Sequence, residues 1–573
     1  MVKKLDKVET VVVGMGWAGG IISAELAKAG KQVVGLERGE DRSTEDFQMI
    51  HDEYRYENRD ELMQNLAKET LTFRNNPDER ALPLRQAGAF LVGTGVGGAG
   101  VHWAGETWFF SPFDFKIKTM TDEKYGKNKL SKDYTIQDWG ITFDELHPYY
   151  LTFEKMAGIS GELNPLRPER TEDYPTPPMK NTPMLKKFAE ACEELGLHPF
   201  RQPSANMSEA YENPDGQKLA QCQYCSFCSQ YGCEYDAKSS PVVTVIPTAK
   251  ETGNFELRTN SNVTEVLHNG SKATGVRYVN TETGEEYEQP ADVVVLTSYT
   301  LNNTKLLLHS KLGTPYNPQT GKGTVGKNYC YQLDANATGF FKEKYNMYMG
   351  AGALGTTIDD YNNDNFDHSD LDFIHGGTIT MHQTGFRPIN ENTVPSDTPS
   401  WGKDFKDQSI KYFNRTRSVR AQGASIPHKN NYLDLDPTYK DEYGVPLIRL
   451  TYDFTDQDRA LFKFISKKCA EILEQMDTER VETGTLSDHF DIAPHQNDHI
   501  TGGTIMGDNP DTSVVNNFLQ MWDVDNLFVI GASNFPHNSG YNPTGTVGAL
   551  SYRAAEGIQT YLEKGGQLAV ANN

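Results

Sequence analysis

The chain has 573 residues and a formal net charge of −23 at pH 7, so more than one packed unit is expected. The acidic excess argues against nucleic acid as a partner and against unaided binding to anionic lipid. No run approaches the roughly 18 apolar residues of a membrane span, so the chain is not expected to cross a bilayer by itself.

The N-terminal segment has the pattern of a strand–turn–helix–strand unit that binds a dinucleotide. Residues 10–13 form a short apolar run that suits a buried parallel strand, and the glycine-rich residues 14–20 follow it. Residues 21–29 have helical spacing. Residues 33–36 predict the second strand, which ends at Glu37.

Each glycine of the Gly14-Met-Gly16-Trp-Ala-Gly19 turn has its own physical role. Gly14 permits a tight turn, Gly16 lets backbone approach a pyrophosphate, and Gly19 lets the helix pack closely. Glu37 is placed to accept hydrogen bonds from ribose hydroxyls. The pattern fits FAD and NAD alike, so these residues predict a dinucleotide without choosing one.

The strand signature returns at residues 292–296 and 526–530, far along the chain. Each run is followed by a turn rich in Gly, Ser and Thr and then by a helical stretch, at residues 301–310 and 546–564. We therefore expect one nucleotide-binding sheet whose strands come from three distant parts of the sequence.

Two long tracts of different character lie between these strands. Residues 160–240 are rich in Pro, Asn and Glu and then in Cys, with one helical stretch at 183–195. Residues 330–490 are rich in Tyr, Phe, Asn, Asp and Thr, and apolar and polar residues alternate at 334–341. That alternation predicts an antiparallel sheet with one wet face.

Four cysteines lie within twelve positions, at Cys222, Cys225, Cys228 and Cys233. Their spacing is tighter than in most structural zinc ribbons and is typical of iron–sulfur ligation. Structural zinc and disulfide-paired or redox-inactive thiols remain alternatives. The other cysteines, which are scattered and suit ordinary buried thiols, are Cys192, Cys330 and Cys469.

A second glycine-rich segment covers residues 93–105, with five glycines before His102. That density indicates backbone packed against a flat ligand. Together with the N-terminal motif, with residues 499–507 and with residues 542–547, it resembles the glucose–methanol–choline (GMC) oxidoreductases, FAD enzymes that oxidise alcohols and sugars. The resemblance covers nearly the whole chain and favours FAD over NAD.

The resemblance implies an α/β FAD-binding (Rossmann-like) domain that is discontinuous in sequence, with an α+β substrate domain built on an antiparallel sheet. The predicted divisions are residues 1–160, 241–328 and 496–573 for the three parts of the FAD-binding domain, 161–240 for the cysteine-rich segment, and 329–495 for the substrate-binding domain.

The resemblance also implies the residues that contact FAD. His102 resembles the histidine that is bonded covalently to the flavin in the pyranose 2-oxidase branch, although a histidine merely packed near the ring remains an alternative. Residues 297–300 depart from the family, since many members carry an Ala-Ala-Gly turn there. The expected cofactor-binding residues are Gly14, Gly16, Gly19, Glu37, Gly97, Gly98, His102, Val263, Gly531, Ala532 and Thr544.

Two residues take the catalytic positions of the family. His499 is the expected base, because imidazole titrates near working pH and small glycines follow it. Asn542 is expected to donate a hydrogen bond to the forming alkoxide. Nearby His489 or His495 could serve instead, and Asn542 before a proline could only initiate a turn. A further departure is Gly503, where threonine is usual in the family.

With residues 234–241, the four cysteines resemble the flavoprotein subunits of gluconate 2-dehydrogenase-like sugar dehydrogenases. This predicts oxidation of a secondary or anomeric hydroxyl of a sugar or sugar acid, with hydride passing to flavin N5. Electrons would leave through a 3Fe-4S or 4Fe-4S cluster to a cytochrome, quinone or dye. The first alternative is an oxygen-using sugar or glycoside oxidase that resembles pyranose 2-oxidase and has structural cysteines. The second is a non-enzymatic flavin relay.

The same relatives imply a small helper subunit and a cytochrome subunit as partners. The first seven residues lack the pattern of an export signal. The expected location is therefore the cytoplasm, or an exported or membrane-associated site reached through a partner subunit.

Overall fold

The computed structural model describes residues 2–47, 62–85, 92–170, 172–345, 347–385, 392–494 and 499–569. The strands are β1 Lys3–Lys4, β2 Val8–Val13, β3 Val33–Leu36, β4 Thr72–Arg74, β5 Leu82–Pro83, β6 Phe200–Arg201, β7 Tyr211–Glu212, β8 Lys218–Leu219, β9 Phe255–Arg258, β10 Ser261–His268, β11 Ala273–Asn280, β12 Glu286–Leu296, β13 Cys330–Tyr331, β14 Leu333–Phe341, β15 Gly355–Ile358, β16 Gly377–His382, β17 Thr416–Gly423, β18 Tyr432–Lys440, β19 Pro446–Thr451, β20 Thr478–Thr483, β21 Ile500–Thr501 and β22 Leu527–Val529. The α-helices are α1 Trp17–Lys28, α2 Ala99–His102, α3 Pro112–Phe115, α4 Ile117–Tyr125, α5 Phe143–Ala157, α6 Pro183–Glu194, α7 Val245–Glu251, α8 Thr300–His309, α9 Lys403–Tyr412, α10 Asp456–Gln475 and α11 Thr544–Lys564.

A mixed sheet in the order β10-β11-β12-β2-β3-β9 carries the N-terminal unit. Strand β12 pairs in parallel with both β2 and β22, so Val294 lies opposite Val11 on one side and Leu527 on the other. The expected sheet drawn from three distant segments is therefore confirmed. Strands β10 and β11 extend it antiparallel, beyond what the sequence predicted.

The apolar runs of this sheet are buried on both faces. Val11, Val12, Val294 and Val295 have no exposed surface, as strands covered by helices on each side require. Helix α1 packs against both α7 and α11 beside the sheet. The predicted helices at 21–29, 183–195, 301–310 and 546–564 are all present, with ends that differ by at most four residues.

The second large sheet has the order β20-β14-β17-β16-β15-β6, and its described pairings are all antiparallel. In β14 the side chains of Leu333 and Ala335 are buried, while Asp334 and Asn336 are half-exposed. Helix α10 packs against β14 and β17. The alternation expected for one wet face is therefore present.

Some strand pairings cross the divisions predicted from the sequence. Strand β6, from the cysteine-rich segment, joins the antiparallel sheet through β15. Strands β4 and β5, from the N-terminal part, join β18 and β19 in a separate small sheet. The residue boundaries of the domains stay a prediction, since the sheets alone do not divide the chain there.

Within the described part of the chain, no helix combines the length and apolar character needed to cross a bilayer.

Candidate active site

A cavity of about 1160 Å³ runs between the mixed sheet and the polar face of the antiparallel sheet. Gly14, Gly16 and Glu37 line one part of it, and His499 and Asn542 line another. This volume slightly exceeds the range of roughly 300–1,000 Å³ that is usual for small-molecule and cofactor sites. It is large enough for a dinucleotide and a small substrate together.

The glycine turn has the geometry expected from its sequence. Gly14 has φ +91°, and a Cβ there would lie 2.9 Å from the Cα of Ser298. A Cβ on Gly19 would lie 2.0 Å from the carbonyl oxygen of Gly14, so only glycine allows this helix–strand approach. The nearest atom to a Cβ on Gly16 is Gly97 O at 3.9 Å. Gly16 therefore leaves room for a ligand.

Glu37 is buried at the end of β3, and its carboxylate accepts two backbone hydrogen bonds. Met15 N lies 3.0 Å from Oε2 and Gly39 N lies 3.1 Å from Oε1. Burial raises the pKa of Glu37 although these donors oppose the shift. The side chain thus holds the glycine turn in shape as well as facing the cavity, a role that the sequence did not predict.

The other expected cofactor residues fall into two groups. Those that line the cavity are Gly98, His102, Val263, Gly531, Ala532 and Thr544. Gly19 and Gly97 lie behind it, where Gly97 N donates to Met15 O at 2.7 Å and so joins the two glycine segments. His102 is the last residue of α2, is buried, and accepts a hydrogen bond from Gln230 N at 2.6 Å.

The turn at residues 297–300 is held by side-chain hydrogen bonds. Thr297 Oγ1 lies 2.8 Å from Val13 O and 2.7 Å from Gly14 O. Tyr299 has φ +76° and ψ 160°, a region that strongly favours glycine. The tyrosine adopts this conformation at a cost of about 1–3 kcal/mol.

His499 and Asn542 lie together at the cavity wall. Asn542 Nδ2 is 3.3 Å from His499 Nε2. The indole Nε1 of Trp108 donates to Asn542 Oδ1 at 3.1 Å, which turns the amide nitrogen toward the histidine. Trp108 also stacks on Tyr541, with ring centroids 5.3 Å apart. The sequence did not predict a role for Trp108.

Gln332 determines which nitrogen of His499 carries the proton. The pairing of β13 with β21 places Tyr331 opposite Ile500, and so Gln332 beside His499. Gln332 Nε2 donates to Ser539 O at 2.8 Å and to Tyr541 O at 2.9 Å. Its Oε1 is therefore left as the acceptor facing His499 Nδ1, 2.5 Å away. In the neutral imidazole Nδ1 bears the hydrogen, and Nε2 has the lone pair that can take a proton.

Sequence reasoning missed Gln332, although one signal was present. It is a polar residue inside the apolar run at 329–333, and it has no exposed surface. A buried amide must find hydrogen-bond partners. Of the alternative bases, His489 is exposed, lies 2.5 Å from Asp453 and is not among the residues that line the cavity, and His495 lies outside the described residues.

The wet face of the antiparallel sheet forms the wall opposite the glycine turn. It carries an ion pair between Arg420 and Asp334, 2.6 Å apart, and a contact between His382 Nε2 and Glu106 Oε1, also 2.6 Å apart. Burial alone would raise the pKa of Glu106, but the charge and hydrogen bond of His382 lower it. The further polar residues of this face that line the cavity are Asn336, Thr378, Thr380, Arg417, Ser418 and Gln422.

Comparison with known proteins identifies the family. The N-terminal GMC oxidoreductase model matches residues 175–334, and the C-terminal one matches residues 427–551. The gluconate 2-dehydrogenase flavoprotein of Pantoea cypripedii is 41% identical, over 99% of this chain and 96% of the relative. The chain belongs to the GMC oxidoreductase family. It is an FAD-dependent dehydrogenase that acts on CH–OH groups.

Other relatives of this GMC oxidoreductase also match over nearly their full lengths. The 2-methyl-1,2-propanediol dehydrogenase of Mycolicibacterium austroafricanum is 28% identical, over 97% of this chain and 96% of the relative. The fructose dehydrogenase large subunit of Gluconobacter japonicus is 25% identical, over 97% and 98%. The solved pyridoxine 4-oxidase from Mesorbium loti has a TM-score of 0.59 and 17% identity, over 97% and 99% of the two chains, and shows the shared fold.

FAD, the cofactor of GMC oxidoreductases, fits the residues of the cavity. The turn at Gly16 leaves room where a pyrophosphate would approach, next to the N-terminus of α1. Glu37 stands at the end of the next strand, where a ribose acceptor is expected. Neither feature depends on the catalytic residues, so the cofactor fit and the His499 geometry are independent observations.

The four clustered cysteines of this GMC oxidoreductase line a second, small cavity together. All four are free thiols, and Cys222 and Cys228 are buried while Cys225 and Cys233 are half-buried. Burial raises the pKa of Cys225 to about 11 and that of Cys222 further. Cys228 Sγ accepts a hydrogen bond from Asn206 Nδ2 at 3.7 Å.

The loop that carries these cysteines turns sharply several times. Tyr224, Ser226, Gln230 and Asp236 all have positive φ between 52° and 77°. Such conformations are unfavourable for residues other than glycine, and they persist where the surrounding structure imposes them. They allow a segment with little regular structure to turn four sulfurs toward one space.

A second group of possible metal ligands lies elsewhere in the described part of the chain. One ligand atom each from Asp114, His375 and His537 lies within 4.8 Å of the others, a spacing that a metal ion could bridge.

The buried group of Asp114, His375 and His537 has a different explanation. Trp139 Nε1 donates to His537 Nδ1 at 3.2 Å, so His537 Nε2 bears the hydrogen and faces Asp114 Oδ1 at 3.2 Å. A metal on Nε2 would require the opposite tautomer. The group is therefore a hydrogen-bonded network, and it also supports the capping box at Ser111.

Proposed function

We propose that this protein oxidises a secondary or anomeric hydroxyl of a sugar or sugar acid, and that electrons leave through an iron–sulfur cluster held by Cys222, Cys225, Cys228 and Cys233. The final acceptor would be a cytochrome, quinone or dye. The main support for the proposed oxidation of a hydroxyl group is the tautomer that Gln332 imposes on His499.

His499 and Asn542 divide the work at the substrate oxygen. His499 Nε2 takes the hydroxyl proton, because Nδ1 already carries its hydrogen toward Gln332. Asn542 Nδ2 donates a hydrogen bond to the same oxygen as negative charge develops on it. Bound FAD supplies the hydride acceptor at N5. The 3.3 Å between His499 Nε2 and Asn542 Nδ2 lets both groups reach one oxygen atom.

The polar wall opposite the glycine turn supports a polyhydroxylated substrate. Several amide, hydroxyl and guanidinium groups line the cavity there. The amides and hydroxyls can donate hydrogen bonds to sugar hydroxyls and accept them, and the guanidinium groups can donate them. Arg417 and Arg420 add positive charge that suits a sugar-acid carboxylate. The name of the Pantoea relative, a gluconate 2-dehydrogenase flavoprotein, agrees with that substrate class.

The position of the cysteines supports their role as the electron exit. Gly352, which lines the large cavity, separates it from the cysteines: a Cβ there would lie 2.1 Å from Ala104 O and 2.8 Å from Cys228 Cβ. At this point the backbone of Gly352 and Ala104 lies between the large cavity and Cys228. A cluster bound there would accept one electron at a time from the reduced flavin.

The remaining parts of the proposal rest on resemblance. We include a covalent bond between His102 and the flavin, the predicted division into domains, and assembly with a small helper subunit and a cytochrome subunit. The name of the Gluconobacter relative, a large subunit, agrees with a multi-subunit assembly. The cytoplasm is the proposed location unless a partner carries the chain elsewhere.

One set of spectra tests this function. Anaerobically purified protein should show flavin absorbance together with iron and acid-labile sulfide, and one member of a panel of sugars and sugar acids should bleach the flavin. His499→Ala should retain flavin but lose bleaching. Stoichiometric peroxide in air, with zinc and no iron, would reject the proposal. Release of flavin into the supernatant on acid precipitation would reject only the covalent bond to His102 and leave the rest of the proposal standing.

A further inference from the structure

Lys238 is a lysine buried between the large cavity and the cysteine cavity. Its side chain is 1% exposed. The ammonium nitrogen donates to three backbone carbonyls, Trp103 O at 2.9 Å, Cys228 O at 2.7 Å and Tyr231 O at 2.8 Å. Trp103 directly follows His102 in the sequence, whereas Cys228 and Tyr231 belong to the loop that carries the cysteines.

These three acceptors match the number of donors on a protonated lysine. A neutral amine has two hydrogens to donate, whereas an ammonium has three. Three carbonyl partners within 2.9 Å match the three hydrogens of the ammonium form, whereas burial lowers the pKa of Lys238. Among the residues that the structure describes, no carboxylate forms an ion pair with Lys238. A buried cation without a negative partner is costly.

The candidates for that negative charge are the cysteine sulfurs. The thiols whose charge would act on Lys238 are those of Cys228, Cys233, Cys225 and Cys222. Sulfurs that hold a metal group are thiolates and carry negative charge. The lysine and the metal-bound thiolates would then compensate each other across one wall of the cysteine cavity.

Two neighbouring hydrogen bonds connect the same segments. Gln230 N donates to His102 O at 2.6 Å, and Trp103 Nε1 donates to Ser239 O at 2.8 Å. With the bond from Lys238 to Trp103, they join the His102–Trp103 segment to the cysteine loop on both sides. These two bonds do not involve the Lys238 side chain, so they can hold the His102–Trp103 segment in place when that side chain is changed.

We propose that Lys238 is a positioning residue for electron transfer, which ties the His102–Trp103 segment to the cysteine loop and compensates the charge of the metal-bound thiolates with its ammonium. This inference rests on the proposed function, since it requires a metal group at the cysteines. A fixed positive charge beside a cluster stabilises its reduced form and raises its reduction potential. Removal of the charge should lower that potential.

The test compares Lys238→Met with Lys218→Met, a matched control because Lys218 is 81% exposed. Iron per flavin, the cluster potential from an EPR-monitored titration, and flavin reduction by substrate are measured in each. We expect Lys238→Met to lower the potential by about 59 mV or more, a tenfold change for one electron, or to lose iron. Flavin reduction should stay within about twofold of wild type, since His499 and Asn542 do not contact Lys238.

Further variants keep the proposal falsifiable if the Met variant does not fold. Lys238→Arg retains the charge and should keep iron and a potential close to wild type. Lys238→Gln retains donors without the charge and should behave as the Met variant does. An unchanged potential and full iron in Lys238→Gln would overturn the inference. Wild-type protein without iron or acid-labile sulfide would instead overturn the proposed electron exit.

Discussion

His499 Nδ1 lies 2.5 Å from Gln332 Oε1, and the orientation of that amide is imposed by the carbonyls of Ser539 and Tyr541. Because the amide cannot turn without losing two hydrogen bonds, the imidazole presents the lone pair of Nε2 to the cavity. Gln332 is neutral, so it orients the base without adding a negative charge to it. This relationship leads to the first prediction.

Replacement of Gln332 by Leu should lower kcat by about 10- to 100-fold, the loss expected when a hydrogen bond to a charged state worth roughly 1.5–3 kcal/mol is removed. Flavin content should not change, because Gln332 does not line the cavity. Anaerobic stopped-flow measurement of flavin reduction gives the rate directly. A wild-type rate in Gln332→Leu would show that the tautomer does not control proton transfer.

Replacement of Trp108 by Phe removes the donor that orients Asn542. We expect a severalfold loss in the rate of flavin reduction, against roughly 10²- to 10³-fold for Asn542→Ala, which removes the oxyanion donor itself. The double variant should be no slower than Asn542→Ala, since Trp108 acts through that amide. Additive losses in this cycle would show that Trp108 has a separate role.

Gly16→Ala should weaken FAD binding, whereas Gly19→Ala should destabilise the folded protein. The nearest atom to a Cβ on Gly16 is 3.9 Å away, so this variant should fold and lose FAD affinity, because the methyl group occupies the ligand's side of the turn. A Cβ on Gly19 would lie 2.0 Å from Gly14 O and should destabilise the fold itself. Thermal denaturation of the apoproteins and flavin titration separate the two effects.

Asp458, in the capping box of helix α10, gives a prediction about pH. Burial raises its pKa to about 6, against 3.8 in the unfolded chain. The folded state therefore binds the proton more tightly, and stability falls as pH rises from about 4 to about 6. Above pH 6 the full cost, on the order of 3 kcal/mol, is present.

Asp458→Asn cannot ionise and should not show that loss. The free energy of unfolding of wild type minus that of Asp458→Asn should decrease between pH 4.5 and pH 7.5, as measured by chemical denaturation at each pH. Asp456→Asn is a suitable control, because Asp456 lies in the first turn of the same helix but is exposed. A difference that stays constant with pH would contradict the raised pKa.

The sequence by itself determined those features that depend mainly on neighbouring residues in the chain. Strands β2, β3, β12 and β22 were predictable because parallel strands buried on both faces are short apolar runs. The glycine turn was predictable because Gly14 and Gly19 meet steric limits set by their immediate neighbours and one adjacent strand. The cysteine spacing likewise predicted sulfurs that share one space, as the small cavity lined by all four cysteines shows, while the metal site there stays a prediction.

Tertiary structure alone decided how those parts are oriented and charged. Gln332 and His499 are 167 positions apart, and Trp108 and Asn542 are 434 apart. Which nitrogen of an imidazole bears the proton, and which way an amide points, depends on donors and acceptors that only the fold brings together. The fold likewise gathers three carbonyls around the Lys238 nitrogen, one of them 135 positions away in the sequence. Sequence patterns report local preference and burial, and they do not contain these partnerships.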